Sequence, residues 1–507
     1  MNVVIHLPNG EFGHEIWELT RIFFPGREAK VLHPITGDMA AQDCLAADFL
    51  LTVWYSYVND YEIEVHTKLE NKTDKPLKYN IHRFSINEHI KKQPIKEKRE
   101  IKKILGRCIY DALAEHTGIY PSWGTLTGVR PLKVVHNLMD DGFDDMEVLD
   151  ILTSGYRVKR DKAELLTGTA GNQRHILVEN SDDMVSLYIH IPFCPTRCLY
   201  CSFPSVVLDR KSDIADKYLD CLIMELDQAV NELVQRGIMI QSIYIGGGTP
   251  TALTYSQLER LMGAVDLVMD GRKIKEYTVE CGRPDSLDLD KLSILKAFGV
   301  NRISINPQTM NQETLDKIGR KHTVQQVISG INMARYIGFD CINMDVIAGL
   351  PGENAEHMEK TMASLASLNP ENITVHTLAV KRASRLKKSL EEYPLAGDDT
   401  AEEMLRVCHR WIKEMDMIPY YLYRQKYMVG NLENVGYSRR GKECIYNIQM
   451  MGEKQTIWGF GAGAVSKIYY SSEDRIQRLP NAKDINEYIN RIQGTIHRKK
   501  AIIDSML

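Results

Sequence analysis

The chain has 507 residues, a length that predicts two or three domains at roughly 150 residues per domain. Hydrophobic residues make up 44% and charged residues 26% of the chain, and these ordinary globular proportions exclude a collagen-like, low-complexity or wholly disordered protein. The 63 Lys and Arg residues against 67 Asp and Glu residues give a formal net charge of -4. This balance provides no overall field that attracts nucleic acid or anionic membranes, so we predict neither as a partner.

The cysteines are distributed unevenly along the chain. Neither a signal peptide nor an apolar run of about eighteen residues is visible, so we expect a cytoplasmic protein without membrane insertion. In that reducing compartment, the cysteines that stand singly are expected to be buried free thiols. Cys194, Cys198 and Cys201 instead form one short cluster, which favours metal binding over a disulfide.

The first part of the chain predicts a small α+β domain of unknown role, over residues 1–180. Phe49 to Val58 and Tyr61 to Leu69 read as two strands joined near Asn59-Asp60. Lys91 to Lys103 is strongly basic, and Ile95, Ile101 and Ile104 give it a helical apolar edge. We favour a solvated helix face for this run, with an anion or nucleic-acid contact as the alternative. A domain that docks substrate or a partner is our hypothesis for this part.

Short β-type runs alternate with amphipathic helical patterns from residue 185 to about 378. This alternation predicts parallel βαβ units in an α/β core over residues 181–395, followed by a C-terminal extension over 396–507. An open doubly wound sheet and a complete or partial barrel both satisfy the pattern, and both place ligand-binding loops at the carboxyl ends of the strands. The six predicted strands are Val185 to Ile191, Gln241 to Ile245, Tyr277 to Glu280, Arg302 to Ile305, Cys341 to Ile347 and Asn372 to Leu378.

The three cysteines follow the first of these strands directly, with the spacing Cys-x3-Cys-x2-Cys. Soft sulfur ligands suit an iron–sulfur cluster or zinc. Three ligands on a four-iron cube leave one iron with an open coordination position for chemistry, whereas a structural zinc site is closed. A structural zinc with a distant fourth ligand, such as His190, is the alternative.

The cysteine loop resembles that of radical S-adenosylmethionine (SAM) enzymes. Tyr188 to Cys194 (Tyr-Ile-His-Ile-Pro-Phe-Cys) is similar to the signature of the oxygen-independent coproporphyrinogen III oxidase family, and Trp123 to Pro131 and Tyr423 to Gly436 resemble its HemZ-type branch. The resemblance implies a [4Fe-4S] cluster on Cys194, Cys198 and Cys201 that binds SAM and cleaves it to a 5′-deoxyadenosyl radical. The resemblance also implies a parallel (β/α) partial barrel of about six units for the core and a C-terminal α/β extension over 396–507 that covers the substrate.

The same resemblance implies which residues bind SAM. The loop Gly246 to Pro250 follows the second strand, where glycines allow close backbone approach and N–H groups can bind a carboxylate. Each assignment has a structural alternative, such as a tight turn for this loop, a core aromatic for Tyr188, a surface cluster for Arg320 or a buried hydrogen bond for Asp345. The predicted SAM-binding residues are Tyr188, Gly247, Gly248, Thr249, Pro250, Glu280, Gln308, Arg320 and Asp345.

The resemblance implies a radical SAM oxidoreductase of haem biosynthesis, a coproporphyrinogen III dehydrogenase. It would convert two propionates to vinyl groups, each with loss of CO2 and transfer of one electron to an acceptor, and would consume two SAM, with the electrons for SAM cleavage supplied by a flavodoxin- or ferredoxin-like reductant. A tetracarboxylate substrate needs basic residues and a dry aromatic wall. The basic candidates for binding these carboxylates are Lys381, Arg382, Arg385, Lys387 and Lys388, although we favour a charged, solvated helix for this run. The candidates for a lid over the active site are Tyr423, Arg424, Gln425, Asn431 and Asn434. Simple packing between domains is the alternative for this second set.

One position departs from the family pattern. Phe203 occupies the place of the fourth cysteine of the oxidising members, and haem-chaperone relatives also carry Phe there. A haem chaperone, with His190, His376 or His409 as a candidate ligand, is therefore an alternative function. Another radical SAM reaction on a tetrapyrrole, such as anaerobic haem breakdown or methyl transfer, is a third.

Overall fold

A computed structural model describes residues 3–32, 47–71, 78–209, 211–269, 271, 274–381, 383–425 and 428–505. The chain divides into two compact units, Met1–Gly168 and Thr169–Leu507. The predicted division into three domains at residues 180 and 395 stays a prediction. Within the described ranges, no helix has both the length and the apolar character needed to cross a membrane.

The first unit contains a 5-stranded sheet in the order β2-β1-β3-β4-β5. The strand β1 is parallel to β2 and β3, whereas β3, β4 and β5 form an antiparallel meander, so the predicted hairpin is confirmed. These strands are β1 Val3–His6, β2 Ala29–Leu32, β3 Phe49–Asn59, β4 Glu62–Asn71 and β5 Lys78–Ser85, and the helices are Gly13–Phe23, Glu88–Lys91, Pro94–Thr117, Leu132–Asp140, Asp145–Asp150, the π-helical turn Ile151–Gly155 and Arg160–Leu177. Alternating buried residues of β3 and β4 pack with the helices Gly13–Phe23 and Pro94–Thr117 in one core.

The basic run falls on the start of the helix Pro94–Thr117. Ile101 and Ile104 are buried in the core, but Ile95 is 71% exposed, so the predicted apolar edge is wrong at that residue. Lysines of the run pair with carboxylates, among them Lys96 with Asp141 at 2.7 Å. Such pairs are typical of the solvated helix face that we favoured.

The second unit is built on an 11-stranded sheet, counted over the described residues, in the order β14-β15-β13-β12-β11-β10-β9-β6-β16-β17-β18. Its strands are β6 Met184–Ile191, β9 Met239–Gly247, β10 Glu276–Glu280, β11 Arg302–Ser304, β12 Ile342–Ala348, β13 Asn372–Thr377, β14 Ile418–Tyr423, β15 Asn434–Ser438, β16 Thr456–Phe460, β17 Val465–Tyr470 and β18 Arg475–Pro480, beside a separate pair, β7 Phe193–Cys194 and β8 Val206–Val207. All six predicted strands are present, as β6 and β9–β13, and neighbours among them are parallel.

The order of these six strands distinguishes the two predicted architectures. Each strand lies beside the one that precedes it in the chain, whereas a doubly wound sheet reverses direction at a switch point. Sequential parallel order is that of a (β/α) barrel or partial barrel. The connecting helices are Ile214–Gln235, Tyr255–Met269, Leu289–Ala297, Gln312–Lys317, Val324–Ile337 and Ala355–Leu368.

The C-terminal extension is α/β, as predicted, but its strands join the same sheet. After the helix Asp398–Glu414, β14 and β15 add antiparallel strands beyond β13. β16 pairs in parallel with β6 at the other edge, and β17 and β18 continue from it. The remaining helices are Ile445–Gly452, Ile485–Asn490 and Ile492–Ser505. Both edges of the six-stranded core are thus covered, which leaves no core strand as an exposed edge.

Candidate functional site

Most predicted site residues lie on or directly after the carboxyl ends of the core strands, an edge that we call the mouth, whereas Tyr188 and Asp345 lie inside β6 and β12 and Arg320 follows the helix Gln312–Lys317. Parallel strands end on the same side of a sheet, so the loops that follow β6, β9, β10, β11 and β12 converge there. These loops and strands carry the three cysteines, the Gly246 to Pro250 loop, Glu280, Gln308 and Asp345. The core order therefore gathers residues that are up to 151 positions apart, from Cys194 to Asp345.

The three-cysteine loop (residues 194–201) starts on β7 and carries its thiols at the mouth. Cys198 is 9% exposed, and Cys194 and Cys201 are half-buried. Burial raises the pKa of the Cys201 thiol, and Cys198 and Cys194 raise it further, so the three sulfur atoms lie within electrostatic range of one another. Across the described residues, no group of three or more His, Cys, Asp or Glu side chains is arranged around a single metal ion, whereas a four-iron cluster takes its three thiolates on three separate irons.

Each of these sulfur atoms has a hydrogen-bond donor. The Thr249 hydroxyl donates to Cys194 Sγ at 3.7 Å, the Arg283 guanidinium donates to Cys198 Sγ at 3.7 Å, and the Phe203 backbone bonds to Cys201. N–H and O–H donors favour the thiolate form of a cysteine, which is the form that ligates iron. Three thiols on one loop, each with a donor, are a donor set that fits a cluster bound at three corners.

Gly247 and Gly248 are needed because the protein itself packs closely against them, whereas we expected the close approach of a ligand. A Cβ on Gly247, whose φ is +109°, would lie 1.8 Å from His190 Cδ2, and a Cβ on Gly248 would lie 2.5 Å from the Phe193 carbonyl oxygen. The N–H of Gly247 donates to Glu280 at 3.2 Å, and those of Gly248 and Thr249 donate to the carbonyls of Ile191 and Phe193. The expectation that these N–H groups are open to a carboxylate is wrong, because each has a protein acceptor. Pro250 is buried and opens the short turn Pro250–Ala252.

Glu280 ends β10 in a half-buried position beside the glycine loop. Its carboxylate accepts the Tyr244 hydroxyl at 2.6 Å and the Gly247 N–H at 3.2 Å. Burial raises the pKa of Glu280 to about 7, and the negative charge of Asp345 contributes in the same direction. A carboxyl group with so raised a pKa is not a solvated strand-end carboxylate, and such groups are concentrated at functional sites.

Asp345 interrupts the apolar strand β12 and has protein partners. Asn343 Nδ2 donates to it at 2.7 Å, and His376 Nε2 lies 3.7 Å from Oδ2. Burial raises the pKa of Asp345, but His376 and the hydrogen bonds outweigh it, so the pKa is lowered overall. The buried hydrogen bond that we named as the structural alternative is therefore present, and a SAM contact would add to it.

Gln308 follows β11 in a strained conformation. Its φ is +68°, in the left-handed region that non-glycine residues seldom adopt. Its backbone bonds to β12 through Asp345 and Ile347, each at 2.9 Å. The side chain is 8% exposed, and its Oε1 has no hydrogen-bond partner among the described residues. A buried acceptor without a partner is costly, and a bound ligand would satisfy it.

Tyr188 belongs to a cluster of tyrosines rather than standing alone. Its ring stacks on that of Tyr446 with centroids 5.9 Å apart, and Tyr446 stacks on Tyr244 at 4.4 Å. Tyr244 in turn donates to Glu280. Sequence reasoning missed Tyr244 and Tyr446, because Tyr446 reaches this place from the far C-terminal helix Ile445–Gly452.

Arg320 is 4% exposed, so the surface alternative is wrong. Its guanidinium donates to Tyr200 OH at 3.0 Å and to the carbonyls of Gly282 and Asn306 at 2.5 and 2.8 Å. Arg320 therefore ties the three-cysteine loop to the ends of two core strands. The predicted grip on a SAM carboxylate would use the remaining N–H capacity of a group that has five donors.

His190 does not fit the role of a metal ligand that the alternatives gave it. It is 2% exposed and lies against Gly247, and its Nδ1 contacts the Ala462 carbonyl oxygen. Burial lowers the pKa of this histidine, so the neutral ring serves to position the loop.

The basic run after β13 divides into two kinds of residue. Lys381 is half-buried, and the Cys201 sulfur lies close enough to affect its pKa. Arg385, Lys387 and Lys388 are exposed, as the solvated alternative predicts. Arg382 lies outside the described residues.

The lid candidates follow β14 at the edge of the same sheet. Tyr423 OH lies 3.3 Å from His376 Nδ1 and accepts from Gln425 at 3.3 Å. Arg424 donates to the Asn431 carbonyl at 2.8 Å, and Asn434 is buried and accepts the Thr377 N–H at 3.0 Å. Asn434 thus packs β15 against β13, while Tyr423 and Gln425 border the Asp345–His376 pair.

Comparisons with known proteins place this geometry in a family. Residues 188–365 match the model of the radical SAM superfamily. The oxygen-independent coproporphyrinogen-III oxidase-like protein HemZ of Bacillus subtilis is 38% identical over 398 residues, which cover 78% of this chain and 79% of that protein. The heme chaperone HemW of the same organism is 33% identical over 285 residues, 55% of this chain and 70% of HemW.

Among solved structures, coproporphyrinogen III oxidase (HemN) from Escherichia coli, described as a radical SAM enzyme, is similar with a TM-score of 0.49 and 24% sequence identity. That similarity covers 64% of this chain and 72% of HemN. The extent of the match to HemZ decides the family assignment. The chain belongs to the radical SAM superfamily, in the group of oxygen-independent coproporphyrinogen III oxidase-like proteins that includes HemZ.

Proposed function

We propose that this protein is an oxygen-independent coproporphyrinogen III dehydrogenase of haem biosynthesis. The observation that carries the proposal is the three-cysteine loop at the mouth, beside Glu280, Asp345 and the unpaired Gln308 Oε1. A relative that is 38% identical and named as coproporphyrinogen-III oxidase-like supports it.

Cys194, Cys198 and Cys201 are the residues that would hold a [4Fe-4S] cluster. When bound, the cluster and SAM supply the one-electron chemistry that starts hydrogen abstraction from carbon. The chain's part is to hold the methionine end of SAM at the Gly246 to Pro250 loop. Because the N–H donors of Gly247, Gly248 and Thr249 are engaged, the groups suited to a SAM ammonium here are carbonyl oxygens and the Glu280 carboxylate.

The other predicted SAM contacts have distinct tasks. Gln308 offers its Oε1 as an acceptor, which relieves the cost of leaving that atom unpaired. Asp345, kept ionised by His376 and Asn343, can accept hydroxyl groups of the nucleoside half. Tyr188, in the stacked tyrosine cluster, adds an apolar wall that excludes water from the reacting atoms.

The substrate would be coproporphyrinogen III or a related tetrapyrrole, whose carboxylates need cations at a dry surface. Lys381 suits this role, because it is half-buried, lies near Cys201 and forms no ion pair with any described side chain. The stacked pair Tyr421 and Tyr423, with centroids 6.1 Å apart, lies on the edge strand β14 of the same sheet and supplies an aromatic surface. An ammonium group that is partly shielded from water binds a carboxylate more strongly than a fully solvated ammonium group does.

The test is anaerobic turnover of the reconstituted full-length protein. It is incubated with SAM, dithionite or reduced flavodoxin, coproporphyrinogen III and a one-electron acceptor for the decarboxylation, and the products are separated chromatographically after oxidation. We expect protoporphyrinogen IX together with two 5′-deoxyadenosines per product molecule. Formation of 5′-deoxyadenosine without a vinyl product would reject this substrate assignment.

A haem chaperone is the second candidate, and Phe203 favours it. This residue stands where the oxidising members carry a further cysteine, it is 59% exposed, and a heme chaperone is 33% identical over 285 residues. Haem titration of the same preparation separates the two functions. Stoichiometric haem binding without 5′-deoxyadenosine formation supports the chaperone, and His376→Ala then tests the half-buried histidine at the mouth as a ligand.

A further inference from the structure

A buried arginine that the predicted site does not include contacts the three-cysteine loop at two residues. Arg283 follows β10 and is 4% exposed. Its Nη1 donates to Cys198 Sγ at 3.7 Å and to the Thr196 carbonyl oxygen at 3.2 Å, and its Nη2 donates to Thr196 Oγ1 at 2.8 Å. One side chain from another strand therefore holds the middle of the loop.

Asp285 fixes the orientation of this guanidinium. Its two oxygens accept from Nε at 3.0 Å and from Nη2 at 2.9 Å, which is the bidentate geometry that Arg adopts with a carboxylate. Burial alone would raise the pKa of Asp285, but Arg283 outweighs it and the pKa is lowered. Because Asp285 is ionised, the pair is neutral overall and can stay in this buried place without a large desolvation cost.

An N–H donor on a cluster sulfur has an electronic consequence as well as a structural one. Reduction adds a negative charge that spreads onto the cysteine sulfurs, and a donor stabilises the reduced form more than the oxidised form. The positive guanidinium acts in the same direction over a short distance in a partly buried site. Loss of the donor should therefore make the cluster harder to reduce.

We propose that Arg283 is a positioning residue that holds the three-cysteine loop and, through its contact with Cys198 Sγ, raises the reduction potential of the cluster bound there. This rests on the proposed cluster but not on the identity of the substrate. By the same argument, Asp285 lowers the potential, because its charge offsets that of Arg283. The two residues should thus shift the potential in opposite directions when they are neutralised.

The experiment compares Arg283→Met, Asp285→Asn and the parent by redox titration of the reconstituted cluster without SAM, followed by electron paramagnetic resonance. We expect Arg283→Met to lower the ratio of reduced to oxidised cluster at the parent's midpoint about tenfold, a shift of ~59 mV to more negative potential for one electron. Asp285→Asn should shift the midpoint to more positive potential. Iron content per protein is measured in parallel.

The matched control is Arg335→Met, which removes another arginine that binds a carboxylate and two backbone carbonyls, but none of the cysteines. Its potential and iron content should equal those of the parent. If Arg283→Met assembles less cluster than this control, the loop-holding role is supported, and Asp285→Asn then decides the electronic one. Unchanged potentials in both Arg283→Met and Asp285→Asn would overturn the proposal.

The role of Arg283 and the proposed function can each be rejected without the other. A parent that shows the two opposite shifts but makes no protoporphyrinogen IX supports the role of Arg283 and rejects only the substrate. A parent that turns over coproporphyrinogen III with variants of unchanged potential rejects only the role of Arg283.

Discussion

The second unit places an arginine beside a cysteine sulfur at both ends of its sheet, with different results. At the mouth, Arg283 donates to the partly accessible three-cysteine loop. At the amino ends of the strands, Arg302 donates to Cys341 Sγ at 3.0 Å and to the Lys442 carbonyl at 3.0 Å. The residue types are alike, so the surroundings must decide what each pair does.

Those surroundings differ in how the sulfur atoms are grouped and how deeply they are buried. At the amino end, Glu276 accepts the N–H groups of Ile445 and Tyr446 at 2.8 and 3.1 Å and the Cys444 thiol at 3.2 Å, which caps the helix Ile445–Gly452. Burial raises the pKa of both Cys341 and Cys444, so these thiols stay protonated. At the mouth, Cys194 and Cys201 are instead half-buried on one loop with Cys198. Among the described residues, buried acceptors without a partner occur at both ends, as Gln308 Oε1 at the mouth and Asn372 Oδ1 at the amino end. The comparison teaches that grouped, partly accessible sulfur atoms, rather than arginine–cysteine contacts or unpaired acceptors, distinguish a ligand site from a structural one.

Substitutions of the three cluster cysteines should have the largest effect, and this effect should be confined to the mouth. Cys198→Ala should abolish the brown absorbance, the bound iron and SAM cleavage, because a cluster held by two cysteines loses a corner. Cys194→Ala and Cys201→Ala should do the same. Cys341→Ala and Cys221→Ala are the controls, and both should keep iron and activity. Parent-like iron and sulfide in Cys198→Ala would contradict the ligand assignment.

At the amino ends of the strands, a substitution should lower the free energy of unfolding rather than the cluster content. Glu276→Ala removes a buried acceptor from two N–H groups and leaves Arg302 with less compensation, so we expect the free energy of unfolding to fall by about 3 kcal/mol. Chemical denaturation measures this change, and iron per folded protein should be unchanged. Glu443→Ala nearby, at a half-buried position, should cost less than about 0.5 kcal/mol. Equal losses in the two variants would remove the special role of Glu276.

At the mouth, burial of a carboxyl should oppose stability. The pKa of Glu280 rises from 4.5 to about 7 on folding, so between these values the unfolded state has released a proton that the native state retains. Stability therefore falls as pH rises through this window, and the parent should lose up to about 3 kcal/mol relative to Glu280→Gln. Denaturant titrations of the apoprotein at pH 4.5 and 7.5 measure the difference, with the exposed Glu259→Gln as the control. Parallel pH profiles for parent and Glu280→Gln would contradict this expectation.

A smaller effect is expected from Arg320. Arg320→Ala should leave the iron content near that of the parent but weaken SAM binding about tenfold, or ~1.4 kcal/mol, because the strand ends that it ties together carry the SAM contacts. Equilibrium titration of SAM against the cluster signal measures this change. Arg335→Ala serves as the control, and a normal SAM titration in Arg320→Ala would remove Arg320 from the site.

The smallest effect concerns substrate binding. Lys381→Met should raise the KM for coproporphyrinogen III about fivefold, or ~1 kcal/mol, with little change in kcat, because the lost ion pair is made equally in ground and transition states. Lys388→Met, at an exposed position of the same run, should leave KM unchanged. Equal KM values for the two variants would place the substrate carboxylates elsewhere.

Local sequence patterns predicted much of the core and its ligand loop. The six strands were predicted within two residues of most observed ends because buried parallel strands are continuous apolar runs. The helix Tyr255–Met269 starts with a local signal of this kind, a capping box in which Thr254 and Gln257 exchange hydrogen bonds at 3.1 and 3.3 Å. Strands β14 to β18 were not identified, because their pairing partners lie up to about 270 residues away and their own sequences are rich in Tyr, Asn and Gly.

The sequence by itself determined the spacing of Cys194, Cys198 and Cys201 and their place after a strand, because both depend on neighbouring residues alone. Only the tertiary structure decided that Arg283 and Thr249 donate to those sulfurs, that the N–H groups of the glycine loop are engaged, and that His376 holds Asp345. These contacts join residues from different strands. Their distances follow from the register of the whole sheet, and no local pattern encodes that register.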